Sequence, residues 1–361
     1  MTETVLQPVR LSPVPWRAIA VLALLSLALV AGIALTAGNN RPAVPAPFGL
    51  AGNGLVAYAS AGDIFTVDPV TGARRAVVSG MDLDGDPRWS PDGRRLAFLR
   101  SEGSDGVTRL VIVDANGGNP ITSIGGIDDP DPDSIAWAPD GSSVAVAGNA
   151  GGRRIFLVDS ADGSLTKIGA GYTGLEFFWR PPDGRQLLFS GRGADGPALL
   201  LYTLDGREVQ ELPVALAPGQ QDVRPIGWTA DGARYGYQLE TGLPDRLATR
   251  VVEVETGAHV DVPVAFGHFS NDGTRIAGLD AEAQGHPCVA PLARGDCRRI
   301  GTIGTAPYDT TWAALYWSPD DRWIVTRPQG SSAAHLLDPD GTVVDQPGWL
   351  AEGAESWQRV P

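Results

Sequence analysis

The chain has 361 residues, 46 of them glycine and 29 proline, and a formal net charge of −14. A charge this acidic argues against a nucleic-acid partner, because nucleic-acid binding needs a basic surface. The length exceeds that of one ordinary domain, but a repeat architecture can hold it in one unit, and glycine and proline spread along the chain are typical of many turns.

The first feature along the chain is an apolar run without a charged residue at 18–37. About twenty such residues, as a helix, span the roughly 30 Å hydrocarbon core of a bilayer. We therefore predict a short cytoplasmic tail at 1–15 and one transmembrane helix at 16–37. A cleaved signal peptide is the alternative, but its apolar region is typically about 7–15 residues and no clean small-x-small cleavage site follows at the right distance.

The charges that flank this run predict its orientation. Arg10 and Arg17 precede the run and Arg41 follows it, so the positive-inside rule places the N terminus in the cytoplasm. The sequence thus predicts a single-pass protein of the cell membrane whose C-terminal domain is extracytoplasmic. A proline-rich linker at 38–53 favours an extended, semi-rigid spacer between the two.

A tight-turn motif organises the rest of the chain. The sequence Trp-Ser-Pro-Asp-Gly at 89–93 combines residues that favour a type I turn with a glycine that accepts the left-handed conformation. The motif returns with some substitutions, and its further copies begin at Trp137, Trp179, Trp228, Phe269 and Trp317. A last tryptophan, Trp357, has no turn after it.

These aromatic anchors recur about every 40–50 residues, which is the spacing of propeller blades with four short strands each. In each unit the first strand ends at the anchor, and a β-branched or aromatic run such as 95–98 follows the turn. Residues 55–59 resemble a second strand without a first, whereas 355–360 resemble a first strand without a second, so pairing them closes the ring. We predict an all-β, seven-bladed β-propeller at 54–361. A six-bladed ring with an irregular insertion at the Phe269 unit is the alternative.

The pattern Trp-Ser-Pro-Asp-Gly-x-x-Leu-Ala-Phe, complete at 89–98, resembles the WD40-like repeat of the TolB-type propellers and of the propeller domains of prolyl oligopeptidase-like enzymes. The resemblance covers about residues 54–360 and implies a propeller fold, but the motif is not specific for function. The partners of TolB-type proteins are not carried over, because a predicted membrane span stands in place of their separate N-terminal domain. Catalysis is not carried over either, because no Gly-x-Ser-x-Gly nucleophile motif is present.

Two cysteines, Cys288 and Cys297, flank the turn signal Arg-Gly-Asp at 294–296, where the third and fourth strands of the sixth blade are expected. Two cysteines across a hairpin in an extracytoplasmic domain predict a disulfide with a structural role. Free thiols and a metal site are the alternatives.

The sequence contains no motif for catalysis, metal binding or cofactor binding. The four histidines are scattered, with no two at metal-ligand spacing, and no phosphate-binding glycine loop is present. We expect these histidines in surface or turn positions, and we predict no catalytic residue, no metal site and no cofactor.

Acidic residues recur just before the first strand of most units. The loops that enter this strand lie on one face of a propeller around the central channel, so these acids are expected to form a negative funnel that attracts a cation or a basic partner. The candidate binding residues are Asp84, Asp86, Asp131, Asp133, Glu176, Asp222 and Asp309. The alternative is that aspartate favours loops and that the chain is acidic throughout.

The anchor tryptophans could stack on a sugar or a cation, but their strict repeat position favours the core between blades. Trp312 and Trp349 lie outside this register. They are the better candidates for exposed contact residues, Trp312 near the start of an inner strand and Trp349 in the loop before the closing strand.

These features favour a non-catalytic, membrane-tethered module that binds a protein or an envelope ligand. One alternative is an enzyme of the lactonase or glycan-active type with a site in the central channel, to which the same acids could contribute. The other is the ectodomain of a membrane sensor, which would have to signal through another membrane protein because its cytoplasmic tail is short.

Overall fold

A computed structural model describes the propeller and a few residues before it. The described residues are 45, 47–103, 107–131, 134–149, 153–168, 172–216, 222–240, 247–280, 286–293, 296–301, 314–327, 334–341, 347–348, 350 and 356–361. The predicted tail at 1–15 and the predicted span at 16–37 lie outside these residues, as does the linker up to residue 44. Within the described part of the chain, no helix is long and apolar enough to cross a membrane.

The described residues form 27 strands in seven antiparallel sheets. The first eleven are β1 (Gly52–Ser60), β2 (Asp63–Val67), β3 (Arg74–Val78), β4 (Leu83–Trp89), β5 (Arg95–Glu102), β6 (Val107–Asp114), β7 (Ile121–Thr122), β8 (Ala136–Trp137), β9 (Ser143–Asn149), β10 (Arg153–Asp159) and β11 (Leu165–Ile168). The next eight are β12 (Tyr172–Trp179), β13 (Gln186–Arg192), β14 (Pro197–Thr203), β15 (Glu208–Leu212), β16 (Pro225–Trp228), β17 (Arg234–Glu240), β18 (Leu247–Glu253) and β19 (His259–Val262). The last eight are β20 (Val264–Phe269), β21 (Arg275–Asp280), β22 (Pro287–Pro291), β23 (Arg298–Arg299), β24 (Ala314–Trp317), β25 (Ile324–Arg327), β26 (His335–Leu337) and β27 (Ser356–Val360).

Each sheet is one blade, with its first strand on the inside of the ring. Blade 1 contains β27, β1, β2 and β3 in this order. Blades 2 to 6 contain four consecutive strands each and begin at β4, β8, β12, β16 and β20. In blade 7 the described strands are β24, β25 and β26.

The ring closes by pairing the two ends of the propeller. β27 pairs antiparallel with β1, with Val56 opposite Trp357 and Ala57 opposite Ser356. This pairing confirms the predicted closure and the seven-bladed ring, and the six-bladed alternative is wrong. β1 begins at Gly52, two residues before the predicted start of the propeller.

The second and third strands of each blade carry most of the core. In blade 2, residues 96–99 of β5 and 110–113 of β6 are buried in continuous runs. Both faces of these strands are covered by adjacent blades, as expected for short apolar runs without alternation. The core clusters therefore join blades, as where Ile155 of blade 3 packs in one cluster with Leu187 of blade 4.

The six anchor tryptophans lie between blades and are buried, with exposed fractions of 6% to 8%. Trp137 donates its indole Nε1–H to the Arg88 carbonyl of blade 2 (3.0 Å), and Trp317 donates to the His268 carbonyl of blade 6 (2.9 Å). In both cases the accepting carbonyl belongs to the residue immediately before the anchor of the preceding blade, Trp89 or Phe269. The core position predicted for the anchors is confirmed.

Trp137 and Trp228 form a matched pair for testing this inter-blade contact. An arginine covers each ring, with the Arg95 guanidinium 5.1 Å from the Trp137 centroid and that of Arg180 4.9 Å from the Trp228 centroid. Trp228 Nε1, however, is buried without a hydrogen-bond partner among the described residues. We therefore expect Trp137→Phe to destabilise the protein by about 1 kcal/mol more than Trp228→Phe does. Urea unfolding measures the difference, and equal losses would show that the indole hydrogen bond contributes nothing.

The turns after the inner strands join neighbouring blades on one face of the ring, here called the turn face. In blade 2 the Ser90 hydroxyl donates to Asp92 (2.6 Å) and accepts from the Arg95 amide (2.9 Å). In blade 5, Gly232 has φ +67°, and a Cβ there would lie 2.1 Å from the Pro181 carbonyl oxygen of blade 4. The left-handed conformation and the close approach both require glycine at this position.

The turns of blades 6 and 7 depart from the motif together. Blade 6 has Asn271 in place of proline, and blade 7 has Asp321 in place of glycine. Asp321 is buried with φ +59°, and its carboxylate accepts the Asn271 amide (2.8 Å), Asn271 Nδ2 (2.8 Å) and the Asp272 amide (2.7 Å). Proline has no N–H, so Asn271 adds a main-chain donor that proline at this position lacks. Asp321 in the next turn adds the carboxylate that accepts it.

Cys288 and Cys297 lie at disulfide distance, with their Cα atoms 5.8 Å apart. Cys288 is in β22, and Cys297 immediately precedes β23, which pairs with β22. The predicted position of the cysteine pair, between the third and fourth strands of blade 6, is therefore confirmed. Since β23 has two residues, a covalent link here supplements a very short hydrogen-bond ladder.

Candidate functional site

The inner strands begin on the face opposite the turn face, here called the upper face. The acids predicted to precede these strands lie either before them or within their first five residues. Those within the described residues are Asp84 and Asp86 in β4, Asp131 before β8, Glu176 in β12 and Asp222 before β16. They belong to four consecutive blades. The other candidates, Asp133, Asp309 and Trp312, lie outside the described residues, as does Trp349.

Asp84 is an ion-paired residue at the start of β4. Its side chain is 1% exposed, and its carboxylate accepts two hydrogen bonds from Arg100, at 2.7 Å from Nε and 2.8 Å from Nη2. Its main-chain amide donates to the Gly62 carbonyl of blade 1 (2.9 Å). Asp82, on the loop that leads into β4, lies 3.9 Å from Arg100 with 42% of its side chain exposed. Arg100 thus neutralises Asp84, whereas Asp82 presents its charge to solvent.

Two of the inner strands that bulge shortly before their anchor carry a positive φ on a residue other than glycine. The pairing of β4 with β5 is interrupted around Asp86, which adopts φ +57°. The pairing of β20 with β21 is interrupted around Phe266, which adopts φ +51°. A positive φ is an outlier for a bulky residue and persists where the surrounding structure enforces it. The pairings of β12 with β13 and of β16 with β17 are interrupted at a similar level, so the backbone conformation, and not the bulge, distinguishes β4 and β20.

Glu176, Arg224 and Phe266 meet across blades 4, 5 and 6. Arg224 makes a bidentate ion pair with Glu176, with Nε 2.6 Å from Oε2 and Nη2 bonded to Oε1. The same guanidinium lies 5.0 Å from the centroid of the Phe266 ring, at cation–π distance. The Phe266 amide donates to Gln238 Oε1 (2.9 Å), which stabilises its unusual backbone conformation. The three blades are therefore tied together at the level of the bulge.

His268 follows Phe266 by two residues in β20 and is influenced by the same ion pair. Burial lowers the pKa of His268; the Glu176 carboxylate raises this pKa and the Arg224 guanidinium lowers it, both with smaller effect. The imidazole is therefore neutral at pH 7. The expectation that the histidines occupy surface or turn positions is wrong for His268, because this residue lies within the inner strand β20 and is half-buried.

The end of the loop that leads into β4 and the first residue of β4 present large apolar side chains to solvent. Met81 and Leu83 are 101% and 65% exposed and flank Asp82. On the corresponding loop of blade 3, Asp128 and Asp129 are exposed. Exposed apolar side chains rimmed by polar groups are typical of surfaces that bind other molecules. The upper face of blades 2 and 3 therefore offers contacts for a partner with apolar and basic groups.

The described residues contain no group of three or more His, Cys, Asp or Glu side chains placed to hold a metal ion. Within them, Glu176 is engaged by Arg224, and His268 is a neutral base beside the pair. The chemistry available to this constellation is ion pairing, hydrogen bonding and proton acceptance by an imidazole.

Arg100 and Arg224, which bind Asp84 and Glu176, were not predicted from the sequence. Arg100 could not be found by counting back along the hairpin from the turn at 90–94, because this count places Ser101 opposite Asp84 and only the bulge in β4 shifts Arg100 into that position. Arg224 could not be found either, because 48 residues separate it from Glu176 and only the ring brings them together. Phe266 and His268 carry no motif, and a backbone bulge gives no reliable sequence signal.

No protein-family model matches the sequence, and no curated protein matches it. Solved structures do match it. TolB from Acinetobacter baumannii has a TM-score of 0.52 and 17% identity, with 84% of this chain and 82% of that one covered. The periplasmic gluconolactonase PpgL from Pseudomonas aeruginosa has a TM-score of 0.55 and 19% identity, with 86% and 99% covered. An oligogalacturonate lyase from Vibrio parahaemolyticus has a TM-score of 0.57 and 15% identity, with 79% and 91% covered.

At these identities the similarity concerns the fold alone. It confirms the resemblance to TolB-type propellers as a likeness of fold. Because the same fold is found in TolB, in a lactonase and in a lyase, the function of this chain has to be argued from its own residues.

Proposed function

We propose that this protein is a membrane-anchored, extracytoplasmic propeller that binds a protein or envelope ligand on its upper face without chemical turnover. The observation that carries the proposal is the exposed pair Met81 and Leu83, which flanks the exposed Asp82. Solvent-exposed apolar side chains of this size are stabilised when a partner covers them. The acids around them select against an acidic partner.

The rigid framework beneath this surface supports a binding role. The Asp84–Arg100 pair fixes the start of β4, and the Glu176–Arg224 pair fixes the inner strands of blades 4 and 5. A surface held in one conformation loses less conformational freedom on binding. The chain's net charge of −14 adds long-range attraction for a basic ligand.

Anchoring and location rest on the sequence. The apolar run at 18–37 is long enough to span a bilayer, and the arginines before it favour a cytoplasmic N terminus. A cysteine pair at disulfide distance in blade 6 is consistent with an oxidising compartment. We therefore place the propeller outside the cytoplasm in this proposal.

The test is affinity capture of the full-length protein after crosslinking in cells, with the double variant Met81→Lys/Asp128→Lys. Both side chains are exposed, so the variant changes the surface without removing a described contact. We expect it to lose at least about tenfold of the captured ligand, because an apolar contact is removed and the local charge is reversed.

The matched control is Val70→Lys/Glu208→Lys. It makes the same two chemical changes at exposed positions away from the upper face, Val70 in the outer turn of blade 1 and Glu208 on the outer strand β15. It should capture as much ligand as the wild type. Equal losses in the two double variants would mean that net charge, and not the upper face, determines capture.

An enzyme with its site in the central channel is the second candidate. The observation that favours it is the neutral His268 beside the Glu176–Arg224 pair. His268→Gln separates the two candidates when the captured ligand is measured together with its chemical conversion. A binding module keeps its ligand when this imidazole is replaced, whereas turnover that depends on a base in the channel is abolished.

A further inference from the structure

The central channel ends in an aromatic cavity at the turn face. The cavity has a volume of about 280 Å³, and residues from blades 1 to 6 line it. Its walls consist mainly of aromatic side chains and of prolines from the turns: Trp137, Phe177, Trp179, Trp228, Phe269, Pro91, Pro139 and Pro181. Pockets of this composition suit proline and aromatic side chains, whose rings pack flat against one another.

The chain's own segment before β1 forms one wall of this cavity. Pro47, Phe48 and Gly49 are part of the cavity lining. The Phe48 ring packs against the core that blades 3 and 4 share. Since β1 belongs to blade 1, the segment crosses the ring to reach that core.

Polar contacts hold the main chain of this segment at defined points. Arg359 donates to the Gly49 carbonyl and to Asn271 Oδ1 (3.0 Å), which links the segment to blade 6. The Ala51 amide donates to the Pro319 carbonyl of blade 7 (2.9 Å). Main-chain contacts of this kind fix position, whereas the side chain in the cavity determines which residue is accepted.

The sequence of the segment fits the cavity. Pro45 is buried and Pro47 precedes Phe48, in a stretch whose alternating prolines favour an extended conformation with little entropy to lose on docking. Pro47 and Leu50 are both exposed, and Leu50 is not part of the cavity lining. Recognition therefore centres on the half-buried Phe48 ring.

The geometry points to a peptide-docking site at the turn face that recognises an aromatic side chain and that the chain occupies with its own Phe48. The segment acts as a removable plug of the channel. This site lies on the face opposite the proposed ligand surface and does not depend on that proposal.

The experiment measures binding of the labelled peptide Pro-Ala-Pro-Phe-Gly-Leu, residues 45–50, to the full-length protein by fluorescence anisotropy. A tethered segment competes at an effective concentration on the order of mM. Phe48→Ser removes the competing side chain, so this variant should bind the peptide at least about tenfold more tightly than the wild type does. Leu50→Ser, the matched control, should behave as the wild type, and a peptide with serine in place of phenylalanine should bind to none of them.

Two results would overturn the inference. One is a cooperatively unfolding Phe48→Ser variant that does not bind the peptide. The other is equal binding to the wild type and to the variant, which would mean that the peptide binds elsewhere. Phe48→Ala, titrated in the same way, provides the same comparison if serine prevents folding.

Discussion

Replacing Asp321 by alanine is expected to destabilise the propeller by about 3 kcal/mol. The variant removes the acceptor of three N–H donors, two on Asn271 and one on Asp272. Each hydrogen bond to a charged group contributes about 1.5–3 kcal/mol, and water regains part of this because Asn271 is half-buried. Urea unfolding followed by tryptophan fluorescence measures the loss.

Asp321→Gly separates the hydrogen bonds from the backbone conformation. Glycine adopts φ +59° without the roughly 1 kcal/mol that alanine costs in the left-handed region. We therefore expect Asp321→Gly to lose about 2 kcal/mol, between the wild type and Asp321→Ala. A glycine variant as stable as the wild type would show that the turn motif needs no acceptor here.

The protonation state of Asp321 adds a pH dependence with a defined sign. Burial raises the pKa of Asp321, although its N–H donors lower it. A pKa raised by folding contributes stability that is complete below the unfolded value and is lost as the pH rises through the folded value. The advantage of the wild type over Asp321→Asn should therefore shrink as the pH rises from below the unfolded value through the folded value. If the advantage of the wild type grew with pH instead, the N–H donors would lower the pKa of Asp321 by more than burial raises it.

Asp84→Ala is expected to have a comparable effect, about 3 kcal/mol. The carboxylate is buried, so its removal leaves the Arg100 guanidinium without its two acceptors. Removing one partner of a buried pair costs about 3–5 kcal/mol, and the 24% exposure of Arg100 favours the lower end of this range. Since Asp84 is the second residue of β4 and follows the exposed Leu83, the same variant should also weaken ligand capture on the upper face.

Asp261→Ala is the matched control for Asp84→Ala. Asp261 accepts a bidentate pair from Arg250 at 2.6 and 2.7 Å, which is nearly the geometry of the Asp84 pair. Its carboxylate is 43% exposed, however, so water can replace it. We expect a loss of less than about 1 kcal/mol. Equal losses in the two variants, measured by urea unfolding, would contradict the role given to burial.

The fold could be predicted from the sequence because its signals are local and repeated. Each turn fixes the end of an inner strand, and the anchors Trp89 and Trp137 end β4 and β8 as the motif indicates. The ring closure could also be inferred, because the first unit lacks an inner strand and the last unit has an inner strand with no second strand after it. Short-range turn chemistry and a repeat are together sufficient for this topology.

The candidate site was predicted less completely, because its contacts depend on the arrangement of blades. Asp131 and Asp222 precede their inner strands as predicted, whereas Asp84, Asp86 and Glu176 lie within theirs. The arginine partners of Asp84 and Glu176 were not predicted. The departures at Asn271 and Asp321 looked like loss of the motif, whereas they compensate each other across two blades. The docking of Phe48 links the linker to distant blades, and no local pattern indicates such a contact.

The most direct test of a ligand on the upper face is site-specific photo-crosslinking in cells. A photoreactive residue replaces Met81, which is fully exposed beside Asp82, or Val70, which is 91% exposed in the outer turn of blade 1. The account predicts one discrete crosslinked product from position 81 and none from position 70. No product from position 81, or the same products from both positions, would contradict it.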